Sequence, residues 1–357
     1  MPVNAPSEES CAVLRHSNDS EPGYTRKRMG RYWAYFDGDE RVTDRDTIDR
    51  LNAVGLPPAY EDAWFCKDAD GHLQATGIDA RGRKQYRYHI DFRARRESAK
   101  YEGLLEFGKA LPKLRRRVEQ DLKRRDLRRE AVLAAVVRLL DTEHIRIGNE
   151  EYAKTNKSFG ATTLRARHLR RKGHDLLMRF AGKHGIVHEV KVTDSNLKRI
   201  CRRCQELPGQ MLFQYVNGDG EPKPISSTDV NDYIKEATGG DFTAKHFRTW
   251  GASVIACDQL LKKAENARIT VKTVVEPVAE ALGNTPAISR KSYVHPKLLE
   301  AVKDDARDPL DGMERPRGRK RLSSAEVALL DFLARETKRK RKSKPKAEAK
   351  ESARPAA

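Results

Sequence analysis

Apolar and polar positions follow two different rhythms along this chain. Between residues 31 and 89 the apolar positions come in short, aromatic-rich runs punctuated by turn residues. Residues 32–36 end at Asp37-Gly38-Asp39, residues 63–66 end at Asp68-Ala69-Asp70-Gly71, residues 72–76 follow, and residues 84–89 come after the basic turn Arg81-Gly82-Arg83. Such runs predict strands of a small β-rich domain. Farther on the spacing becomes helical. Leu104, Phe107, Leu111, Leu114, Val118 and Leu122 share one face with basic residues opposite, and Val132, Val136, Val137 and Leu140 mark a second helix from about residue 129.

A strand-containing stretch is expected next, over residues 144–147, 162–164, 176–180 and 186–190. The last pair, joined by Gly182-Lys183-His184-Gly185, reads as a β-hairpin with Lys183 at its tip. Helices are expected again over 195–207, over 228–237 with Gly239 as C-cap, over 244–261 with Thr243 as N-cap, and over 271–282, where Pro277 predicts a kink. Ser323 and Glu326 form a capping box that opens a short C-terminal helix, followed by the basic run 338–346. The pattern as a whole predicts an α+β fold. Residues 1–23 form a flexible N-terminus, 24–97 a β-rich domain, 98–312 a mainly α-helical domain, and 313–357 a basic tail with one short helix. The charged run 93–97 is read as a hinge.

Composition narrows the partner. Lys and Arg number 71 against 52 acidic residues, a formal charge of +19 with a pI near 9.7, which implies an extended polyanion: nucleic acid or an acidic membrane surface. The sequence holds no apolar run of membrane-spanning length and begins with a polar segment, so a membrane is the weaker partner and a cytoplasmic location is expected. Five scattered cysteines fit a reducing compartment without structural disulfides. Cys201 and Cys204 could hold zinc, but no second ligand pair follows, and they share a helical face with Leu197 and Ile200, which points to core packing. The pairs Asp37/Asp39, Asp44/Asp46 and Asp68/Asp70 flank turns, where Asp caps and turn-forms. Neither a metal nor a cofactor is expected.

The chemistry concentrates in residues 283–296. A helix ends at Gly283, the chain turns, and Tyr293 follows Arg290 and Lys291. A phenol with an ordinary pKa of about 10 is a poor nucleophile at neutral pH. Fixed positive charge makes it useful, because cations stabilise both the phenolate and the anion it attacks. Separated Arg and Lys residues elsewhere supply forked donors for a phosphodiester and a proton for a departing alkoxide.

Several blocks, in order, resemble those of type IB DNA topoisomerases of the compact poxvirus and bacterial branch. They are Glu21-Pro22-Gly23-Tyr24-Thr25-Arg26, Gly71-His72-Leu73-Gln74-Ala75-Thr76-Gly77, Arg81-Gly82-Arg83-Lys84-Gln85-Tyr86-Arg87-Tyr88, Ile145-Arg146-Ile147-Gly148, Gly182-Lys183, Lys245-His246-Phe247-Arg248-Thr249-Trp250 and the Tyr293 stretch. The resemblance implies that Tyr293 attacks a backbone phosphodiester and becomes linked to its 3′-phosphate. Arg146 and Arg248 would hold the phosphate, and Lys183 would protonate the 5′-oxygen. Asn284 stands where the poxvirus pattern has histidine; its amide still donates a hydrogen bond but offers no base. Gln85, Tyr86, Tyr88, Arg83, Tyr152 and Lys245 match DNA-contacting positions, although Tyr86 and Tyr88, on one face of a strand, would equally pack a domain core. The implied enzyme is a monomeric two-lobed clamp on duplex DNA that relaxes either sign of supercoil without ATP or metal. Two other readings share parts of the pattern. A tyrosine recombinase uses the same cations and tyrosine but typically shows His-x-x-Arg where this chain has Lys245-His246-Phe247-Arg248, and a non-catalytic DNA-binding protein would need the charge alone.

Overall fold

The computed structural model describes residues 14–262, 269–303 and 315–343, with backbone only for 97–99, 303 and 340–343. It divides between Lys100 and Tyr101 into two compact units. The first contains β1 (Gly23–Met29), β2 (Tyr32–Asp37), β3 (Glu40–Arg41), α1 (Arg45–Ala53), β4 (Glu61–Cys66), β5 (Leu73–Ile78) and β6 (Lys84–Tyr88), and α2 (Ile90–Glu102) leads out of it. The strands form one antiparallel six-stranded sheet in the order β3-β2-β1-β4-β5-β6. Its apolar core is Tyr35, Leu51, Leu56, Ala63, Phe65 and Ala75, with Tyr35 edge-on to Phe65 at 5.2 Å.

Several features of this unit differ from the sequence reading. β1 was not expected as a strand, because Arg26, Lys27 and Arg28 break any apolar alternation; it is nonetheless internal, paired on both sides, with the Arg26 guanidinium donating to the carbonyls of Leu56 and Pro57 at 2.8 and 2.7 Å. The charged run read as a hinge is helical, within α2. Residues 14–22 of the N-terminus expected to be flexible are hydrogen-bonded to the rest of the unit. Arg15 N–H donates to the Asp70 carbonyl (3.0 Å), His72 N–H donates to the Arg15 carbonyl (2.9 Å), and the buried Ser17 hydroxyl exchanges hydrogen bonds with the Leu73 backbone. Residues 1–13 of the expected flexible N-terminus lie outside the described residues. The turn reading of the aspartates holds for Asp44, which caps the unforeseen α1 by accepting from Thr47 N–H at 2.8 Å.

The second unit runs α3 (Leu104–Leu122), α4 (Arg129–Glu143), α5 (Glu150–Thr155), β7 (Leu169–Lys172), β8 (Asp175–Ala181), β9 (Val187–Val192), α6 (Ser195–Gln205), β10 (Gln214–Val216), β11 (Pro222–Pro224), α7 (Ser227–Thr238), α8 (Ala244–Leu261), α9 (Val271–Leu282), α10 (Pro286–Ser292), α11 (Pro296–Lys303) and α12 (Ser324–Ser343). α4 is apolar nearly all round, and Ala131 through Val137 are all buried, so it serves as the central helix of a single core. The helices expected from periodicity are present, and α9 continues through Pro277 to Leu282.

The strand expected over 144–147 is instead an extended segment, and residues 161–163 form a single 3₁₀ turn. The backbone groups that a ladder would use are engaged locally. Ala161 N–H donates to the Arg146 carbonyl (2.8 Å) and Thr162 N–H to the Ile147 carbonyl (2.7 Å). Gly160 permits this approach, since a Cβ there would lie 2.5 Å from the Arg146 carbonyl oxygen.

The C-terminal helix also departs from expectation. Its capping box forms as read, with Ser323 N–H donating to the Glu326 carboxylate (2.7 Å) and Glu326 N–H to the Ser323 hydroxyl (3.3 Å). Yet α12 spans 20 residues and buries Val327, Ala328, Leu329, Phe332 and Leu333 in the main core. Glu326 is ion-paired to Arg115 at 2.7 Å, Arg115 holds Asp141 at 2.8 Å, and the Trp250 indole N–H donates to Glu326 at 3.0 Å. The first half of α12 is therefore a structural part of the helical unit, tied to α3, α4 and α8; residues 344–346 of the basic run lie outside the described residues. Among the described residues no helix is long and apolar enough to cross a membrane. Truncating the fully buried Phe332 to Ala removes a large side chain from a packed core and should lower stability by about 3–5 kcal/mol in urea unfolding; an unchanged midpoint would show that α12 is an appendage.

Candidate active site

Tyr293 stands at the C-terminal end of α10, its N–H donating to the Ser289 carbonyl at 3.1 Å. α10 exists because Thr285 caps it, accepting from Ile288 N–H at 3.3 Å, and Pro286 fills its first position. Just beyond the tyrosine, His295 N–H donates to the buried Ser253 hydroxyl on α8 (3.1 Å), pinning the segment to that helix. One and a half turns earlier on the same helix is Arg248, only 5 % exposed. Its guanidinium carbon lies 5.0 Å from the Tyr293 ring centroid.

Two carbonyls hold Arg248. Nη1 donates to the His144 carbonyl and Nη2 to the Leu282 carbonyl at 3.0 Å, while Nε is buried with no partner. Burial lowers the Arg248 pKa to about 10; the Arg146 charge acts in the same direction, and the Tyr293 hydroxyl opposes both. The group is still cationic at neutral pH. His144 can aim its carbonyl this way because it closes α4 in the left-handed conformation (φ 51°). Its ring packs where a Gly251 Cβ would be, 2.4 Å from the nearest ring atom.

Arg146 reaches the same place from the extended segment after α4. Its Nη2 donates to Asn284 Oδ1 at 2.8 Å. An Arg has only donors, so this contact fixes the orientation of the Asn284 amide and turns Nδ2 away from Arg146. That Nδ2 is buried and has no hydrogen-bond partner, as does the Ser289 hydroxyl. Asn284 follows Gly283, which ends α9 in the left-handed region (φ 59°), and its own N–H donates back to the Ala279 carbonyl at 2.9 Å. Buried donors left unmade cost about 1–3 kcal/mol each, and Asn284 Nδ2, on the amide bonded to Arg146, together with Arg248 Nε is free to be completed by an anion.

Lys183 occupies the expected place, in the turn between β8 and β9, where Ala181 pairs with Val187. It is exposed and lies apart from the hydrogen bonds that join Arg146 to Asn284 and hold Arg248. The turn nevertheless approaches them, because Gly182 and Gly283 both lie against the ring of His188. His188 carries no sequence signal and was missed. Arg146, Arg248, Asn284 and Tyr293 thus come together, and Lys183 sits one residue from a group that touches their edge.

The six outer candidates divide between the two units. In the first, Gln85 Nε2 and Arg83 Nε both donate to Asp79 Oδ2, at 3.0 and 2.9 Å, and the Arg83 contact holds the Asp79 carboxyl down at about 2. Tyr86 and Tyr88 are 49 % and 36 % exposed and stack on one another at 6.2 Å, so they do not pack the domain core. In the second unit Tyr152 is exposed on α5 and Lys245 in the first turn of α8. Cys201 and Cys204 are fully buried on α6, and among the described residues no group of three His, Cys, Asp or Glu side chains could hold a metal ion. Burial pushes the Cys204 thiol up to about 12.

Residues 89–314 match the family profile of the eukaryotic DNA topoisomerase I catalytic core, and residues 32–79 match that of the bacterial DNA topoisomerase IB N-terminal domain. The chain is 31 % identical over 297 residues to DNA topoisomerase 1B of Acanthamoeba polyphaga mimivirus, covering 79 % of this chain and 88 % of that protein. It is 23 % identical over 278 residues to DNA topoisomerase 1B of vaccinia virus (strain Copenhagen), covering 73 % of this chain and 83 % of that one.

The buried thiols give a direct check on the absence of a zinc role. Cys201 and Cys204 should react with a thiol reagent only as the protein unfolds, and a zinc chelator should leave the melting temperature unchanged. A fall in melting temperature with the chelator would overturn the packing assignment.

Proposed function

The chain belongs to the type IB DNA topoisomerase family, and from that premise we propose how its own residues divide the work. The enzyme relaxes positive and negative supercoils by cutting one strand, letting it rotate and resealing it, without ATP or metal. Tyr293 Oη bonds to phosphorus as the bond to the 5′-oxygen breaks, leaving a 3′-phosphotyrosyl link. The phenolic proton leaves to solvent, and Lys183 gives its proton to the departing 5′-oxygen. Resealing is the reverse, with the 5′-hydroxyl attacking phosphorus and Tyr293 leaving.

The observation that carries this assignment is the pair of unpartnered buried donors, Arg248 Nε on the guanidinium that lies against the Tyr293 ring and Asn284 Nδ2 on the amide that holds Arg146. Charge grows on the non-bridging oxygens as phosphorus becomes five-coordinate, and donors fixed beforehand stabilise that charge without reorganising. Arg146, held by Asn284 Oδ1, contributes a second guanidinium. Toward the phosphate Asn284 acts as a hydrogen-bond donor and not as a base, since an amide has no titratable proton near neutral pH. His246 supports this reading over the recombinase alternative. It stands two residues before Arg248, and its Nδ1 accepts the Thr243 N–H at 3.0 Å while its ring packs against Phe107 and Phe242, so it serves as a helix cap.

Duplex DNA is the partner, and the exposed Tyr86–Tyr88 pair with Arg83 and Gln85 would bind it from the β-rich unit, Tyr152 and Lys245 from the helical one. Four of the five catalytic candidates converge within one copy of the helical unit, which favours a monomeric enzyme. The net charge of +19 favours residence on the nucleoid.

Relaxation of a supercoiled plasmid in EDTA without ATP should proceed with the wild-type protein and vanish with Tyr293→Phe at nearly unchanged DNA affinity; a strict Mg²⁺ requirement would contradict the mechanism. Arg248→Ala and Asn284→Ala should each slow single-turnover cleavage, by about 10²–10³-fold for a lost oxyanion donor, with the larger loss at Arg248. Equal rates for Asn284→Ala and wild type would remove its amide from the phosphate site.

A further inference from the structure

Between the Lys183 turn and the Asn284 cap lies one side chain with no assigned task. His188 pairs with Phe180 across β8 and β9, and the two rings stack at 5.3 Å with 17° between their planes. A Cβ built on Gly182 would come within 2.6 Å of the His188 Cδ2 and 2.7 Å of Nε2. One built on Gly283 would come within 2.6 Å of Cε1 and 3.2 Å of Nε2. The edge of the imidazole thus fills the space between the residue before Lys183 and the residue before Asn284.

The two glycines have different reasons to be glycine. Gly283 has φ 59°, which the backbone alone would demand. Gly182 has φ −89°, open to any L-residue, so only the imbedded ring excludes a side chain there. The turn has little else to hold it. Among the described residues, the hydrogen bonds made by residues 182–186 are internal, Gly182 N–H to the Ile186 carbonyl (2.7 Å) and Gly185 N–H to the Gly182 carbonyl (3.1 Å). His184 and Gly185 both sit at positive φ, 64° and 75°. The ring itself has no hydrogen-bond partner among the described residues. Burial, with the nearby Arg146 and Arg248 charges, lowers its pKa, so it is a neutral spacer at neutral pH.

We propose that His188 is a positioning residue, a flat strut that sets the Lys183 turn against the Gly283–Asn284 cap and so registers leaving-group protonation to the phosphate site. The inference rests on the reading of Lys183 as the general acid. Proton transfer needs the amine within hydrogen-bond reach of the 5′-oxygen, and a displacement of about 1 Å costs on the order of 10²-fold. Two internal turn hydrogen bonds do not fix that distance; a ring wedged between two backbones does.

The test is single-turnover cleavage of a DNA duplex carrying either the ordinary 5′-oxygen or a 5′-bridging sulfur at the cut site. A thiolate leaves without a proton, so sulfur bypasses any defect that acts through Lys183. His188→Ala should slow cleavage of the oxygen substrate by about 10–100-fold at unchanged DNA affinity, and sulfur should restore most of the rate. The double variant with Lys183→Ala should be no slower than Lys183→Ala alone. Gly182→Ala, whose backbone tolerates the change, should push the ring aside and give the same pattern, which covers the case in which His188→Ala folds poorly. His188→Phe keeps a flat ring in the slot and should stay close to wild type. A His188→Ala defect that sulfur leaves untouched, no defect at all, or His188→Phe as slow as His188→Ala would overturn the strut while Lys183→Ala is still rescued. Failure of sulfur to rescue Lys183→Ala would instead remove the general-acid reading beneath it.

Discussion

A guanidinium kept almost entirely from water, and held by main-chain carbonyls rather than carboxylates, is the constraint on which this catalytic unit depends. Bringing a cation inside costs several kcal/mol even after relaxation. Arg248 offsets part of that with the His144 and Leu282 carbonyls, which are partial charges and leave the net positive charge in place. A carboxylate partner would have neutralised the site and repelled a phosphate. Each carbonyl comes from the end of a helix, α4 or α9, so the position of Arg248 is set by where those helices stop. The left-handed His144 and Gly283 that stop them are part of the same device.

The same helix carries the structural load behind the site. Trp250, two residues after Arg248, donates to Glu326 of α12, and Glu326 binds the Arg115 that holds Asp141 of α4. Ser253, five residues after Arg248, accepts the N–H of His295, two residues past the tyrosine. α8 therefore reports to the core on one side and to the nucleophile on the other. The C-terminal helix, whose later positions are basic enough to suggest a tether, contributes to holding that helix in place.

Much of this was legible in the chain, and the gaps have physical causes. Regular apolar spacing exposed α3, α4, α7, α8 and α9, because long amphipathic helices repeat a signal over several turns. α10 was not legible: it is seven residues long, mostly exposed, and exists through a threonine cap and a proline. β1 was hidden by its arginines and lysine, whose alkyl stems and hydrogen bonds let a charged strand lie inside a sheet. The extent of α12 was hidden by its basic second half, although its capping box was plain in Ser323 and Glu326. Tyr293, Arg146, Arg248, Lys183 and Asn284 were found through ordered blocks resembling a family, since nothing in spacing alone separates a catalytic arginine from a solvated one. His188 lay outside the quoted blocks, and only the ring's contacts with two glycines reveal it.

The central claim is that the Tyr293 hydroxyl and the unpartnered donors of Arg248 and Asn284 act on a single phosphate. The most direct measurement is to quench a cleavage reaction with denaturant, digest the covalent protein–DNA complex with protease and nuclease, and sequence the modified peptide by mass spectrometry. The account predicts one modified residue, Tyr293, joined to a nucleotide through its 3′-phosphate. Attachment to any other residue, or through a 5′-phosphate, would contradict it.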